Sequence, residues 1–153
     1  MSILEMYDKA LDMHRTYYQY EKIEGAYRKQ MERIPETAFR EAIANAFVHR
    51  YWDVQSFIRI SMFDDRIEIA FRAGLSEKEY LDGQVSILRN PIVGNLFFRL
   101  RYIERFGTGI KRINKTYKTS KRKPVYRVYE NSIYRELPAI ENDVPSLKMN
   151  DGL

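Results

Sequence analysis

Between Glu36 and Phe71 the spacing of apolar residues changes from a helical to an extended period. That change limits the chain to folds in which a helix packs against a sheet. Phe39, Ala42, Ile43, Ala46 and Phe47 recur at threes and fours, one apolar face of a helix predicted over residues 36–51. Ile58, Ile60 and Met62 then alternate with Phe57, Arg59, Ser61 and Phe63, and Ile67, Ile69 and Phe71 alternate again beyond Asp64-Asp65. Two alternating runs across a short acidic turn predict an antiparallel hairpin.

The flanking sequence extends this pattern. Leu4, Tyr7, Leu11, His14 and Tyr18 predict an amphipathic helix over 3–20, a second helical stretch is expected over 21–33, and Pro35 suits the first turn of a third. His14 reads as a stripe-edge residue, because no partner His or Cys is spaced for a metal. Residues 73–88, with Gly74 and Gly83, show no period and read as a long loop of the kind that serves function. Asn90-Pro91 opens a helix to about residue 105. Gly107 ends it and Gly109 opens another, with Ile110, Ile113 and Tyr117 as its buried stripe. Residues 126–137 read as one strand or a pair. The expected organisation is an N-terminal helical segment over 1–34, a domain over 35–138, and a tail or linker over 139–153.

Composition excludes several functions. A chain of 153 residues with 44% hydrophobic and 31% charged residues builds one globular core. With no cysteine it has no disulfide, thiolate metal site or cysteine nucleophile. No apolar run approaches the roughly 18 residues that span a bilayer, and the first ten residues lack a signal-peptide pattern. A cytoplasmic location without a membrane partner is therefore expected. The net charge is +5. Much of the basic charge stands in Lys111, Arg112, Lys115, Lys118, Lys121, Arg122 and Lys123, with no acid among them. Such a cluster is either a solvated helix face or a segment that contacts nucleic-acid phosphates by counterion release.

Glu41, Asn45 and His49 lie four residues apart, one stripe roughly opposite Phe39, Ile43 and Phe47. A carboxylate here can orient or deprotonate a water, and a carboxamide oxygen one turn away is a hard ligand suited to Mg²⁺. Spacing alone favours an ordinary solvated helix face, because any such face carries polar residues.

The surrounding strings decide between them. The run from Arg40 through Glu41-Ala42-Ile43-Ala44-Asn45-Ala46 to His49-Arg50-Tyr51 closely resembles a helix of RecG-related transcriptional regulators, itself similar to the N-box of the GHKL ATPases. Phe63-Asp64-Asp65-Arg66-Ile67-Glu68-Ile69, Ser86 through Arg89-Asn90-Pro91, and Ile103-Glu104-Arg105-Phe106-Gly107-Thr108-Gly109-Ile110 resemble further elements of that family, in its order. The resemblance covers residues 27–138. It implies an α+β, Bergerat or GHKL-like two-layer sandwich, with a mixed, mainly antiparallel sheet and helices on one face. It implies Glu41 as the water-activating catalytic residue and Asn45 as the Mg²⁺ ligand. Asn45, Gly74, Gly107, Thr108, Gly109 and Ile110 would bind ATP, with residues 73–88 as a lid.

Members of the family resemble a DNA-binding domain followed by this module, so the chain is expected to be a fragment that meets DNA through flanking domains. It lacks the Gly-x-x-x-x-Gly-Lys-Ser/Thr loop, so no helicase motor is expected, and enzyme activity stays open, at most as a weak ATPase. Where GHKL ATPases carry an Asp-containing box for the adenine amine, this chain has Phe71-Arg72-Ala73-Gly74-Leu75. That departure keeps two alternatives in view: a nucleotide-free scaffold or homodimer built on Tyr7, Tyr17, Tyr18 and Tyr20, and direct nucleic-acid contact through residues 111–123.

Overall fold

The computed structural model describes residues 2–49, 57–72, 91–100 and 109–140. Helix α1 (Ile3–Tyr18) begins at a capping box in which Ser2 Oγ accepts from Glu5 N (3.2 Å) and Glu5 Oε2 accepts from Ser2 N (2.6 Å). This pairing satisfies two amides at the helix start. Strands β1 (Gln19–Glu24) and β2 (Tyr27–Glu32) follow as an antiparallel hairpin. Next come α2 (Glu36–His49), β3 (Arg59–Met62), β4 (Arg66–Arg72), α3 (Pro91–Arg99), α4 (Gly109–Thr116), β5 (Val125–Val128) and β6 (Ser132–Pro138). The larger sheet runs β3-β4-β6-β5 with every described pairing antiparallel. The protein is α+β, as expected, with the helices on one face of this sheet.

The β4–β6 register explains the layering. Ile67, Ile69 and Phe71 stand opposite Leu137, Arg135 and Ile133, and all six are buried on the face toward the helices. On the other face Glu68 pairs with Glu136, and Arg66 Nε relieves that like-charge contact at 2.8 and 3.7 Å. Tyr7, Ala10, Leu11, His14 and Tyr18 form the buried stripe of α1, and the two helices pack against each other. Helix α2 lies at the centre. Ala38, Phe39, Ala42, Ile43, Ala44, Ala46, Phe47 and Val48 are all buried, so its apolar surface extends well beyond the single predicted face.

Four expectations are corrected. Residues 21–32 belong to the β1–β2 hairpin, where a helix over 21–33 was expected. Gly25, the first of two loop residues, has φ +60°, which suits a two-residue hairpin, and the segment has no apolar stripe to hold a helix on the core. Helix α1 consequently stops at Tyr18. Ala139 and Ile140 are no frayed tail: their amides donate to the carbonyls of Asp65 and Arg33, both at 2.8 Å. Of the four tyrosines considered for a partner surface, Tyr7 and Tyr18 are buried in the core, and the Tyr18 hydroxyl donates to the Phe63 carbonyl at 2.6 Å. The segments 73–88 and 141–153 lie outside the described residues. Among the described residues no helix is long and apolar enough to cross a membrane.

Candidate functional site

The site forms where α2 meets the start of α4. Small residues on α2 allow the close approach, because Ala42 and Ala46 present little bulk on either side of Asn45. A Cβ placed on Gly109 would lie 3.3 Å from Asn45 Nδ2 and 3.5 Å from Glu41 Oε2. A side chain at 109 would therefore press on the Asn45 amide and need a small local shift, whereas the backbone φ of Gly109 is ordinary. Residues 41 and 45, one helical turn apart, are joined across the fold to a glycine 64 positions further along the chain.

Each α2 side chain is held by an arginine. Glu41, only 4% exposed, pairs through Oε1 with Arg112, which lies one turn along α4 from Gly109. Asn45 Oδ1 accepts from Arg135 Nη2 at 3.0 Å. Arg135 is fully buried on the inner face of β6. Its Nη1 donates to the Ala42 carbonyl at 3.1 Å, and its guanidinium lies 5.3 Å from the centre of the Phe71 ring. A guanidinium offers only donors, so it fixes which end of the Asn45 amide faces it. The oxygen points to Arg135, and the nitrogen is the end beside Gly109.

The far end of α4 is anchored as firmly. The Tyr117 hydroxyl donates to the Pro138 carbonyl at 2.7 Å, and burial pushes that phenol's pKa up. Lys123 Nζ donates to the carbonyls of Tyr117 and Lys118 at 2.9 and 3.0 Å, satisfying acceptors left by the end of the helix. Ile110 and Ile113 are buried beneath, as expected.

Of the residues singled out from sequence, the fold thus brings Glu41, Asn45 and Gly109 together. Ile110 sits in the core beneath. Gly74, Gly107 and Thr108 lie outside the described residues, and so does the side chain of His49. The basic cluster is divided by its surroundings. Lys111, Lys115, Lys118 and Lys121 are exposed, whereas Arg112 is paired with Glu41 and Arg122 reaches the Asp65 carbonyl at 3.1 Å. The Asn45 oxygen expected to meet Mg²⁺ instead faces the Arg135 guanidinium, which is a poor neighbour for a dication. Arg135 was not anticipated from sequence. Its signal was present, since Ile133, Arg135 and Leu137 share one phase of a strand whose apolar members face inward.

A family model described as "Putative ATP-dependent DNA helicase recG C-terminal" matches residues 55–134. Comparison with curated proteins finds no match. Among solved structures, the chain is similar to the DIP2311 protein from Corynebacterium diphtheriae, with a TM-score of 0.76 and 22% identity. That likeness covers 96% of this chain and 31% of the other, so the chain spans about a third of its structural relative. It establishes a shared fold.

Proposed function

Because the chain belongs to this recG C-terminal family, an ATPase-type domain, we propose that it is the GHKL-like, ATP-binding module of a larger DNA-binding transcriptional regulator. The observation that carries the reading is the approach of Gly109 to Glu41 and Asn45, too close for any side chain at position 109 without local adjustment. A helix start at a glycine is suited to anions, because its first amides have no partner within the helix and a glycine lets a ligand approach closely. In this reading ATP supplies the triphosphate charge. Gly109 and Asn45 border it, and Glu41 is the residue nearest in chemistry to a water-orienting base. The domain would extend over 35–138, with 1–34 packed against it and 139–153 leading to a further domain. DNA would be met through the flanking domains.

The test is calorimetric titration with ATP, repeated on Gly109→Val. Micromolar binding is expected, with a melting temperature raised by roughly 5–10 °C at a hundredfold excess over Kd. Loss of both effects in the variant is expected as well. Absence of heat and of any thermal shift with the parent chain would refute the reading.

A second reading, a nucleotide-free packing or dimerisation module, is favoured by a different observation. A cavity of about 390 Å³ is lined by Met13, Tyr17, Ile60, Met62 and Phe63 among others, and Tyr17 is 60% exposed beside it. Sedimentation across a concentration series decides, because a mass that stays monomeric throughout removes the dimer.

A further inference from the structure

We propose that this module binds the phosphates of ATP without a metal ion, because Arg135 has turned Asn45 from a cation ligand into an anion donor. The proposal rests on the nucleotide-binding reading above and adds the chemistry by which the site meets its ligand. The starting point is the carboxamide itself. An asparagine amide has one hard acceptor end and one donor end, and only the acceptor can ligate Mg²⁺. Here the acceptor is directed at Arg135 Nη2, 3.0 Å away, and the same guanidinium is held in register by the Ala42 carbonyl at 3.1 Å. Arg135 is fully buried between β6 and α2 and stacks near Phe71, so it has little freedom to withdraw. Reversing the amide would set two donors face to face beneath the sheet.

The local charge points the same way. The Arg112 guanidinium pairs with the carboxylate of Glu41, and the Arg135 guanidinium faces Asn45, one helical turn along α2. A dication added at the Asn45 oxygen would have to sit against the guanidinium that this oxygen already accepts from. A polyphosphate would instead meet the Asn45 amide nitrogen and the start of α4 on the Gly109 side, where the Glu41 carboxylate also faces but is paired with Arg112. Arg135 acts here as a positioning residue: it works through Asn45 and reaches no ligand itself.

The experiment measures ATP affinity of the whole chain by calorimetry in Mg²⁺ and in excess EDTA, for the parent, Asn45→Asp and Arg135→Met. Asn45→Asp places a carboxylate against Arg135, so its folded state is supported, and circular dichroism checks this. Parent affinity is expected to change by less than about threefold on chelation, and Asn45→Asp to weaken binding by at least about tenfold in both media. Arg135→Met releases the amide and is expected to make binding Mg²⁺-dependent, a response that simple loosening of the core would not produce. A parent that loses affinity about tenfold in EDTA, or an Asn45→Asp variant that binds more tightly in Mg²⁺, overturns the inference while leaving ATP binding intact. A parent that binds ATP in neither medium overturns both together.

Discussion

At the scale of single residues, the buried charges on α2 and β6 are the features whose removal should be felt most. Arg112→Met leaves Glu41 without its guanidinium in a position only 5% exposed at the side chain. Breaking a fully buried pair costs about 3–5 kcal/mol, and the 29% exposure of Arg112 lowers the expectation to about 2–4 kcal/mol. Adding Glu41→Gln should return most of that loss, read as a urea midpoint that moves while the m-value stays constant. His14 is the second such group. It is fully buried, contacts the Ile34 carbonyl through Nε2 at 2.9 Å and stacks on Phe39 with ring centres 4.8 Å apart. Burial first, and Arg15 to a lesser degree, lower its pKa below 6.5, against the Ile34 carbonyl and Glu36, which raise it. Below pH 6.5 the unfolded chain therefore binds the proton more readily than the folded one. Stability is full above that value and falls as the pH drops from it, by at most about 1.4 kcal/mol per pH unit. Denaturation curves at pH 7 and pH 5 should show this loss, and His14→Leu should flatten it.

Elements add a different kind of dependence. The β1–β2 hairpin has many exposed residues, including Ile23 and Tyr27, and a two-stranded ribbon is marginal alone. It is tied down at its base, where Arg33 N donates to the Tyr18 carbonyl at 2.7 Å and Gln19 Nε2 donates to Glu36 at 3.1 Å. At its tip nothing lies within 4 Å of a Cβ on Gly25, so replacement there costs only backbone strain. Gly25→Ala should cost about 1 kcal/mol and Gly25→Asn less, because asparagine tolerates positive φ. Equal urea midpoints for the parent and the alanine variant would contradict the turn geometry. At the α1–α2 junction, the Arg15 guanidinium 2.7 Å from Glu36 holds that carboxyl below its ordinary 4.5. Its contribution is present above that value and is lost in acid, the same direction as His14. The pair is partly exposed and counts for less.

For the whole molecule, folding of the family-like strings depends on the α1 segment that precedes them. Tyr7, Leu11 and Tyr18 on α1 are at most 6% exposed. Three large side chains at about 1.5–3 kcal/mol each amount to much of a typical total stability of about 5–15 kcal/mol. A chain beginning at residue 35 is therefore expected to lose cooperative unfolding, visible as a broad thermal transition by circular dichroism. A sharp melt near that of the parent would show that α1 and the first hairpin are accessories.

What the sequence by itself determined was the local part of this protein. Helical and alternating periods act over neighbours in the chain, so α1, α2, the β3–β4 hairpin and α4 with its buried Ile110 and Ile113 were legible, while residues 126–137 were legible as strand but not as a pair. Glu41 and Asn45 could be singled out for the same reason, since one helical turn sets their spacing. The β1–β2 hairpin was not legible, because residues 21–33 have neither period clearly and a single positive φ at Gly25 decides the outcome. Only the tertiary structure decided what those α2 side chains face. Gly109 comes to them from α4 and Arg135 from β6, and the direction of the Asn45 amide follows from a guanidinium 90 residues away in sequence. Hydrogen-bond polarity across such a distance is a property of packed elements, and no local pattern encodes it.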